Sequence, residues 1–178
     1  MDALRDRIPD YARDLRLNLS SVLTPQGAPG LSEAQLWMTA LASAIASRNA
    51  ELARAIEAAA TEKLEPVQVE AARAAAAIMG MNNVYYRFLH LVEDDEYAKL
   101  PARLRMNVIG SPGIDKADFE LMSLAVSAVN GCGKCVSSHE RILRQHNLGR
   151  EAVQSAVRIA SVIHAVAGVL DYETARAA

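Results

Sequence analysis

The two cysteines of the chain lie three residues apart, and a histidine follows the second of them by about one helical turn. The cysteines are Cys132 and Cys135, and the histidine is His139. Because an α-helix has 3.6 residues per turn, this spacing places both thiols and the imidazole on one helix face. Two neighbouring thiols with an adjacent proton carrier are the groups that dithiol–disulfide exchange requires. The segment therefore indicates a redox dithiol.

The reactive form of a cysteine is the thiolate, and a free thiol has a pKa near ~8.5. Three features can lower that pKa: unpaired N–H groups at the helix start, the charge of Lys134 between the thiols, and His139 as a partner or proton carrier. Asn130 and Gly131 favour a tight turn into the helix, which would leave the sulfur of Cys132 accessible. A disulfide across so short a loop would add little stability, which favours a labile bridge over a structural one.

Two other interpretations of the cysteine pair stay open, namely half of a zinc site and a coincidence of spacing. A structural zinc site takes four protein ligands, whereas the chain has no second Cys-x-x-Cys and His139 is too close on the same helix to form an independent pair. A thioredoxin-like domain is disfavoured because its motif follows a strand, while a predicted helix precedes this one.

A narrow polar stripe runs along the otherwise apolar helix that precedes the cysteines. Its members, at spacings of three, four and three, are Glu120, Ser123, Ser127 and Asn130. If the turn folds the next helix back antiparallel, the stripe can face the cysteines and His139. A partly buried carboxylate beside an imidazole and a thiol can then be the last proton acceptor of a relay. The alternatives are a solvated glutamate and a histidine that only joins two helices.

The remaining sequence predicts an all-α fold. Alanine is abundant, aromatic residues make up 4%, and apolar residues recur at helical spacing. The helices are predicted at about 2–19 with a bend at Pro9, 32–47, 50–63, 66–89, a short one ending near 107, 115–129, the cysteine helix ending near 147, and 150–169 or beyond. Apolar residues surround the helices at 66–89 and 150–169, which fits an oligomer.

The two halves of the chain align with each other at an offset of 83 residues, which becomes 84 after one insertion. The alignment predicts an internal duplication of about 31–89 and 114–172 within one domain, 1–178, joined by a connector at about 107–113. Where the second half has Glu120, Cys132, Cys135 and His139, the first has Trp37, Asn49, Leu52 and Ile56. We therefore expect the first half to supply core and a wall of the pocket, but no chemistry.

Length and charge limit the classes of function. A chain of 178 residues can bury a core without disulfides or metals, and a net charge of −2 with interspersed acids and bases argues against nucleic acid binding. The first residues are charged, and no uninterrupted apolar run approaches the ~18 residues of a membrane span. We expect a soluble, cytoplasmic protein, in which a Cys-x-x-Cys is more often catalytic or metal-binding than structural.

With these residues in view, the chain resembles the alkyl hydroperoxide reductase D (AhpD) proteins of the carboxymuconolactone decarboxylase-like superfamily. The shared pattern is Glu120, eleven residues, Cys132-Gly-Lys-Cys135, three residues and His139-Glu140, in an alanine-rich helical chain of this length. The resemblance covers nearly the whole chain, including both halves. It implies an AhpD-like helical fold, a homotrimer of all-α subunits, and an antioxidant peroxidase with no bound cofactor.

The resemblance also implies a function and roles for the site residues. The family reduces alkyl hydroperoxides and regenerates a partner peroxiredoxin, with electrons from dihydrolipoamide on a lipoyl-bearing acyltransferase and ultimately from dihydrolipoamide dehydrogenase. Cys135 would be the peroxidatic thiol that becomes a sulfenic acid, Cys132 would resolve it as a disulfide, and Glu120 with His139 would relay the proton. The best-known members have a histidine between the cysteines, where Lys134 can stabilise a thiolate only electrostatically.

The residues by themselves do not rank the two sulfurs, and exposure at the helix start would make Cys132 the point of attack by an external dithiol. Two other functions fit the same residues. One is a general disulfide oxidoreductase or redox sensor without peroxide turnover. The other is a decarboxylase-like or zinc-dependent binding protein in which the cysteines are structural.

Overall fold

The computed structural model describes residues 1–177, which contain helices and no β-strand. The all-α prediction is confirmed. The elements in chain order are α1 (Asp2–Asp6), a 3₁₀ turn (Asp10–Ala12), α2 (Arg13–Val22), α3 (Glu33–Ala46), α4 (Ala50–Thr61), α5 (Pro66–Leu91), α6 (Glu96–Lys99), α7 (Asn107–Gly110), α8 (Lys116–Val129), α9 (Gly133–Gln145) and α10 (Arg150–Ala177).

Two predicted helices are wrong in the same way, because a proline divides them. The first predicted helix is broken rather than bent at Pro9, which has extended backbone angles between α1 and the 3₁₀ turn. The short helix predicted to end near 107 is replaced by α6 and α7, each a single turn, with non-helical residues between them. Leu100, which precedes Pro101, has an extended ψ of 140°, because a proline disfavours helical angles in the residue before it.

Helix starts follow local signals in the sequence. Ser32 Oγ accepts a hydrogen bond from Gln35 N at 3.1 Å, and Gln35 Oε1 accepts one from Ser32 N at 3.0 Å, which is a capping box at the start of α3. Asn49 caps α4 through its side-chain oxygen, and Pro66 is the first residue of α5. The predicted cap at Ser32 and the predicted helix start at Pro66 are confirmed.

The helices fall into two sets of three with nearly constant spacing. Helices α3, α4 and α5 begin at Glu33, Ala50 and Pro66, and α8, α9 and α10 begin at Lys116, Gly133 and Arg150, which are offsets of 83, 83 and 84 residues. The sets are interlocked, since α3 packs against α10 and α8 packs against α5. The duplication stays a prediction.

The core is centred on α3 and α8, which pack against each other and are buried over most of their lengths. Three of the first-half residues that align with the site, Trp37, Leu52 and Ile56, lie in this core.

Helix α10 is long and apolar enough by composition to cross a membrane, with a mean hydropathy of 1.5 over 18 residues. No such segment was expected from the sequence. Of that window 44% is buried, because α10 packs on α2, α3 and α8 as a core helix does.

The half-buried carboxyl group of Asp118 links the starts of α3 and α8. Its Oδ1 accepts a hydrogen bond from Gln35 Nε2 at 2.8 Å. Burial raises the pKa of Asp118, the Gln35 bond lowers it, and the charge of Asp115 raises it, with a net upward shift. A carboxyl group whose pKa is higher in the folded than in the unfolded state destabilises the fold once it is ionised.

We therefore predict that Asp118→Asn, which keeps an acceptor for Gln35, stabilises the protein at pH 7. Because the group is partly exposed and screened by solvent, we expect a gain of about 0.5 kcal/mol in the free energy of unfolding. The gain should disappear when the pH falls below the unfolded pKa of about 3.9, because both states are then protonated. Urea unfolding at pH 7 and pH 3.5 measures the difference. An equal gain at both values would show that ionisation is not its cause.

Candidate active site

The two cysteines are joined by a disulfide at the start of α9, with Cα atoms 5.2 Å apart. The turn between α8 and α9 has three residues, Asn130, Gly131 and Cys132. Cys132 N donates to Ser127 O at 3.0 Å and Gly131 N donates to Ala128 O at 3.1 Å, which closes α8 in a Schellman motif. Gly131 has a φ of +68°, an angle that favours glycine at this position.

Cys132 both closes α8 and caps α9. Its Sγ accepts a hydrogen bond from Cys135 N at 3.3 Å, so the sulfur takes the place that a serine or asparagine oxygen has at other helix starts. Asn49, which aligns with Cys132 in the first half, does the same for α4 by accepting from Leu52 N at 2.7 Å. Cys132 is thus the N-cap of α9 and Cys135 its third residue, so both sulfurs lie beside the first turn of the helix.

The two sulfurs differ in accessibility, and the expectation of an exposed first sulfur is wrong. Cys132 is 0% exposed, whereas Cys135 is 7% exposed and lines a pocket. The cause is the turn, because the side chain of Cys132 folds back under the start of α9 to act as its cap. A reagent in the pocket therefore meets Cys135.

Glu120 and His139 are brought together as the sequence analysis expected. Helices α8 and α9 pack as neighbours, and His139 Nδ1 lies 2.6 Å from Glu120 Oε2. A carboxylate only accepts hydrogen bonds, so Nδ1 is the donor, and the other ring nitrogen, Nε2, is left free for another partner. Glu120 is 2% exposed, and the His139 side chain is 12% exposed and lines the pocket. The pair can take up a proton from the pocket and hold the resulting charge.

Two other members of the polar stripe, Ser127 and Asn130, depart from the prediction, because their side chains bond α5 rather than the cysteine helix. Asn83 Nδ2 donates to Ser127 Oγ at 2.8 Å, and Asn130 Nδ2 donates to Asn83 Oδ1 at 2.9 Å. Arg87 Nη1 donates to Asn130 O at 2.6 Å. These bonds hold the turn before Cys132 against α5. Asn83 and Arg87, two polar residues one helical turn apart on α5, were the signal that sequence reasoning missed.

The pocket beside the disulfide has a volume of about 330 Å³. Its walls come from α5, from α7 and the segment before it, and from α9: Met79, Asn82, Tyr86, Met106, Ile109, Lys134, Cys135, Ser138 and His139. The wall from α5 is the one that the first half was expected to supply. Lys134 is exposed at the edge of the pocket. Within residues 1–177, histidine, cysteine and acidic side chains form no group of three or more suited to a metal ion.

A disulfide at a helix start, opening on a pocket beside a buried Glu–His pair in an all-α chain, defines a helical protein of the dithiol–disulfide class. The model of the carboxymuconolactone decarboxylase family matches residues 95–175. The alkyl hydroperoxide reductase AhpD of Gluconacetobacter diazotrophicus is 59% identical over 171 residues, 96% of this chain and 92% of the relative. The chain belongs to the AhpD family, as the resemblance indicated.

Two further relatives show that the similarity extends over the whole molecule. The AhpD of Rhodospirillum centenum is 57% identical over 98% of this chain and 92% of its own. The AhpD of Streptomyces coelicolor is 53% identical over 100% of this chain and 98% of its own. The similarity thus includes both the helices and the site residues.

Proposed function

We propose that the protein is an antioxidant dithiol peroxidase that reduces alkyl hydroperoxides by cycling between a dithiol and the Cys132–Cys135 disulfide. The observation that carries the proposal is the meeting of the accessible sulfur of Cys135 and the buried Glu120–His139 pair at one pocket. Apolar side chains such as Met79 and Ile109 in that pocket suit an alkyl group. The relatives described above are named alkyl hydroperoxide reductases.

In the oxidative half-reaction, the Cys135 thiolate attacks the terminal oxygen of the hydroperoxide. A sulfur–oxygen bond forms, the O–O bond breaks, Cys135 becomes a sulfenic acid, and an alcohol leaves. The Glu120–His139 pair takes up the proton lost by the thiol, and His139, which lines the pocket, gives a proton to the departing alkoxide. The Cys132 thiol then attacks the sulfenic sulfur, water leaves, and the disulfide forms. The ammonium group of Lys134 favours the thiolate electrostatically.

In the reductive half-reaction, a dihydrolipoyl dithiol attacks Cys135, the sulfur that the pocket exposes. Cys132 leaves as a thiolate and accepts the Cys135 N–H at the start of α9, where the helix dipole favours negative charge. The second donor thiol then releases Cys135, so two electrons and two protons pass to the protein. The donor is carried by a lipoyl-bearing acyltransferase and is regenerated by dihydrolipoamide dehydrogenase, and the protein has no bound cofactor of its own.

We also propose that the protein acts with a partner peroxiredoxin, lies in the cytoplasm and forms a homotrimer. A row of exposed apolar side chains along one face of α5 supports self-association, because a soluble monomer rarely leaves such a row uncovered. The row consists of Val84, Phe88 and Leu91, each about half or more exposed. A further apolar residue, Leu100, is exposed in the segment that follows α6.

The test mixes the reduced protein with tert-butyl hydroperoxide and dihydrolipoamide. We expect consumption of dihydrolipoamide that depends on peroxide, and a Cys132–Cys135 disulfide in the oxidised protein by peptide mapping. Exchange of dithiols without peroxide turnover would contradict the proposal and indicate a general disulfide oxidoreductase or redox sensor. Stoichiometric zinc, with thiols that react only after chelation, would contradict both and indicate structural cysteines.

A further inference from the structure

One polar side chain in the pocket wall, that of Asn82, has no partner for its buried carbonyl oxygen. Asn82 is 4% exposed, and its Oδ1 has no hydrogen-bond donor within residues 1–177. The next residue shows the usual arrangement, because both ends of the Asn83 amide are bonded, to Ser127 and Asn130. Asn83 therefore joins helices through its amide, whereas the carbonyl oxygen of Asn82 has no partner in the described chain.

The location of Asn82 separates it from the other unpaired buried atoms. Those atoms belong, in the described chain, to Arg5, Thr39, Ser43 and Ser123, none of which lines the pocket. Asn82 lines it together with Cys135 and His139, and its neighbours there on α5 are Met79 and Tyr86. Most buried polar atoms in proteins are paired, and an unpaired one destabilises the fold. Because no protein group holds the Asn82 amide through a side-chain hydrogen bond in the described chain, the amide is free to turn and bond a molecule in the pocket.

We propose that Asn82 binds the hydroperoxide and holds its terminal oxygen toward Cys135 Sγ. This inference rests on the proposed function. A hydroperoxide has one O–H donor, on the oxygen that the thiolate attacks, and no ammonium or carboxylate group is needed to hold it. In this structure the carbonyl oxygen of Asn82 is shielded, and rotation about the last torsion exchanges it with the NH2 group and turns it toward the pocket, where it accepts that hydrogen bond. The carboxamide thereby orients the O–O bond without taking part in electron or proton transfer.

The two half-reactions allow a role of Asn82 in peroxide binding to be distinguished from a structural role. A thiol is a weak hydrogen-bond donor, so a dithiol reductant gains little from Asn82. The hydrogen bonds of Cys135, Glu120 and His139 in the site do not involve Asn82. Loss of the amide should therefore slow the reaction with peroxide and leave the other reactions of Cys135 unchanged.

The test is Asn82→Leu, which keeps the approximate size of the side chain and removes its hydrogen bonds. We expect the second-order rate constant of the reduced protein with tert-butyl hydroperoxide to fall about tenfold, the usual effect of one hydrogen bond. Alkylation of Cys135 by iodoacetamide, with its pH dependence, and reduction of the disulfide by dithiothreitol should not change. The free energy of unfolding should rise, because an unpaired buried polar group is replaced by an apolar one.

Thr39→Val is the matched control. It also removes an unpaired buried atom, Oγ1 on α3, but outside the pocket, so stability should rise while the peroxide rate stays at the wild-type value. If Asn82→Leu fails to fold, Asn82→Ala is expected to give the same loss of peroxide rate. Equal slowing of peroxide reaction, alkylation and reduction in these variants would overturn the inference, as would an unchanged peroxide rate. A wild-type protein that does not react with peroxide would instead overturn the proposed function.

Discussion

Replacement of Cys135 by serine is expected to lower kcat/KM for alkyl hydroperoxide by more than about a thousandfold, as loss of a nucleophile does in other enzymes. A serine hydroxyl is not ionised near neutral pH, and it cannot form a sulfenic acid or a disulfide. Cys135 is the sulfur that reaches the pocket, since Cys132 is fully buried under the turn. Peroxide-dependent oxidation of dihydrolipoamide measures the effect.

Cys132→Ser is the matched variant, and it should lose turnover while keeping the first oxidation of Cys135. Serine is a good N-cap, so the start of α9 should be preserved when its oxygen replaces the sulfur that accepts the Cys135 N–H. We expect this variant to consume one equivalent of peroxide, stop, and carry a sulfenic acid on Cys135 that a dimedone probe labels. A burst in Cys135→Ser, with the label on Cys132, would show that the two sulfurs have the opposite roles.

Replacement of Glu120 by glutamine should slow the reaction of Cys135 with peroxide about a hundredfold near neutral pH, within the usual range for loss of a general base. Glutamine keeps the size of the side chain and can still bond His139, but it lacks the negative charge that would stabilise the imidazolium formed by proton transfer from Cys135. The thiol should then keep its proton to a higher pH. We expect the midpoint of the pH dependence of alkylation by iodoacetamide to move upward.

Asp118→Asn is the control for Glu120→Gln, because it removes another carboxylate from α8. Asp118 bonds Gln35 and is not among the residues that line the pocket, so the alkylation profile should match the wild type. Both variants should retain a cooperative unfolding transition. If Glu120→Gln also leaves the alkylation profile unchanged, Glu120 has no part in forming the thiolate.

Much of the architecture could be predicted because its causes are local in the chain. Ser32 and Pro66 start their helices through contacts or angles within one turn, and apolar periodicity shows which segments are helical. The meeting of Glu120 with His139 could be predicted for the same reason. They are 19 positions apart in the sequence, the helices on either side keep a regular period, and a turn of three residues leaves few ways to pair the helices.

Other features of the site depend on how distant helices pack, and no local pattern reports that. The hydrogen-bond partners of Asn83 and Arg87 lie 43 to 47 residues away, so the polar stripe on α8 could be assigned to the cysteines or to α5 with equal reason until the helices were placed. The pocket is likewise a product of packing, because α5, α7 and α9 come from separate parts of the chain.

The amino-acid order alone was enough to predict the all-α fold, the paired cysteines and the meeting of Glu120 with His139, since each follows from spacing within one helix or across one turn. The ranking of the sulfurs and the unpaired amide of Asn82 followed only from the assembled molecule. Burial of Cys132 depends on how the turn between α8 and α9 is folded, and exposure of Cys135 depends on the pocket to which α5, α7 and α9 contribute. Burial is a property of all the neighbours of a residue together, and most of those neighbours are distant in sequence.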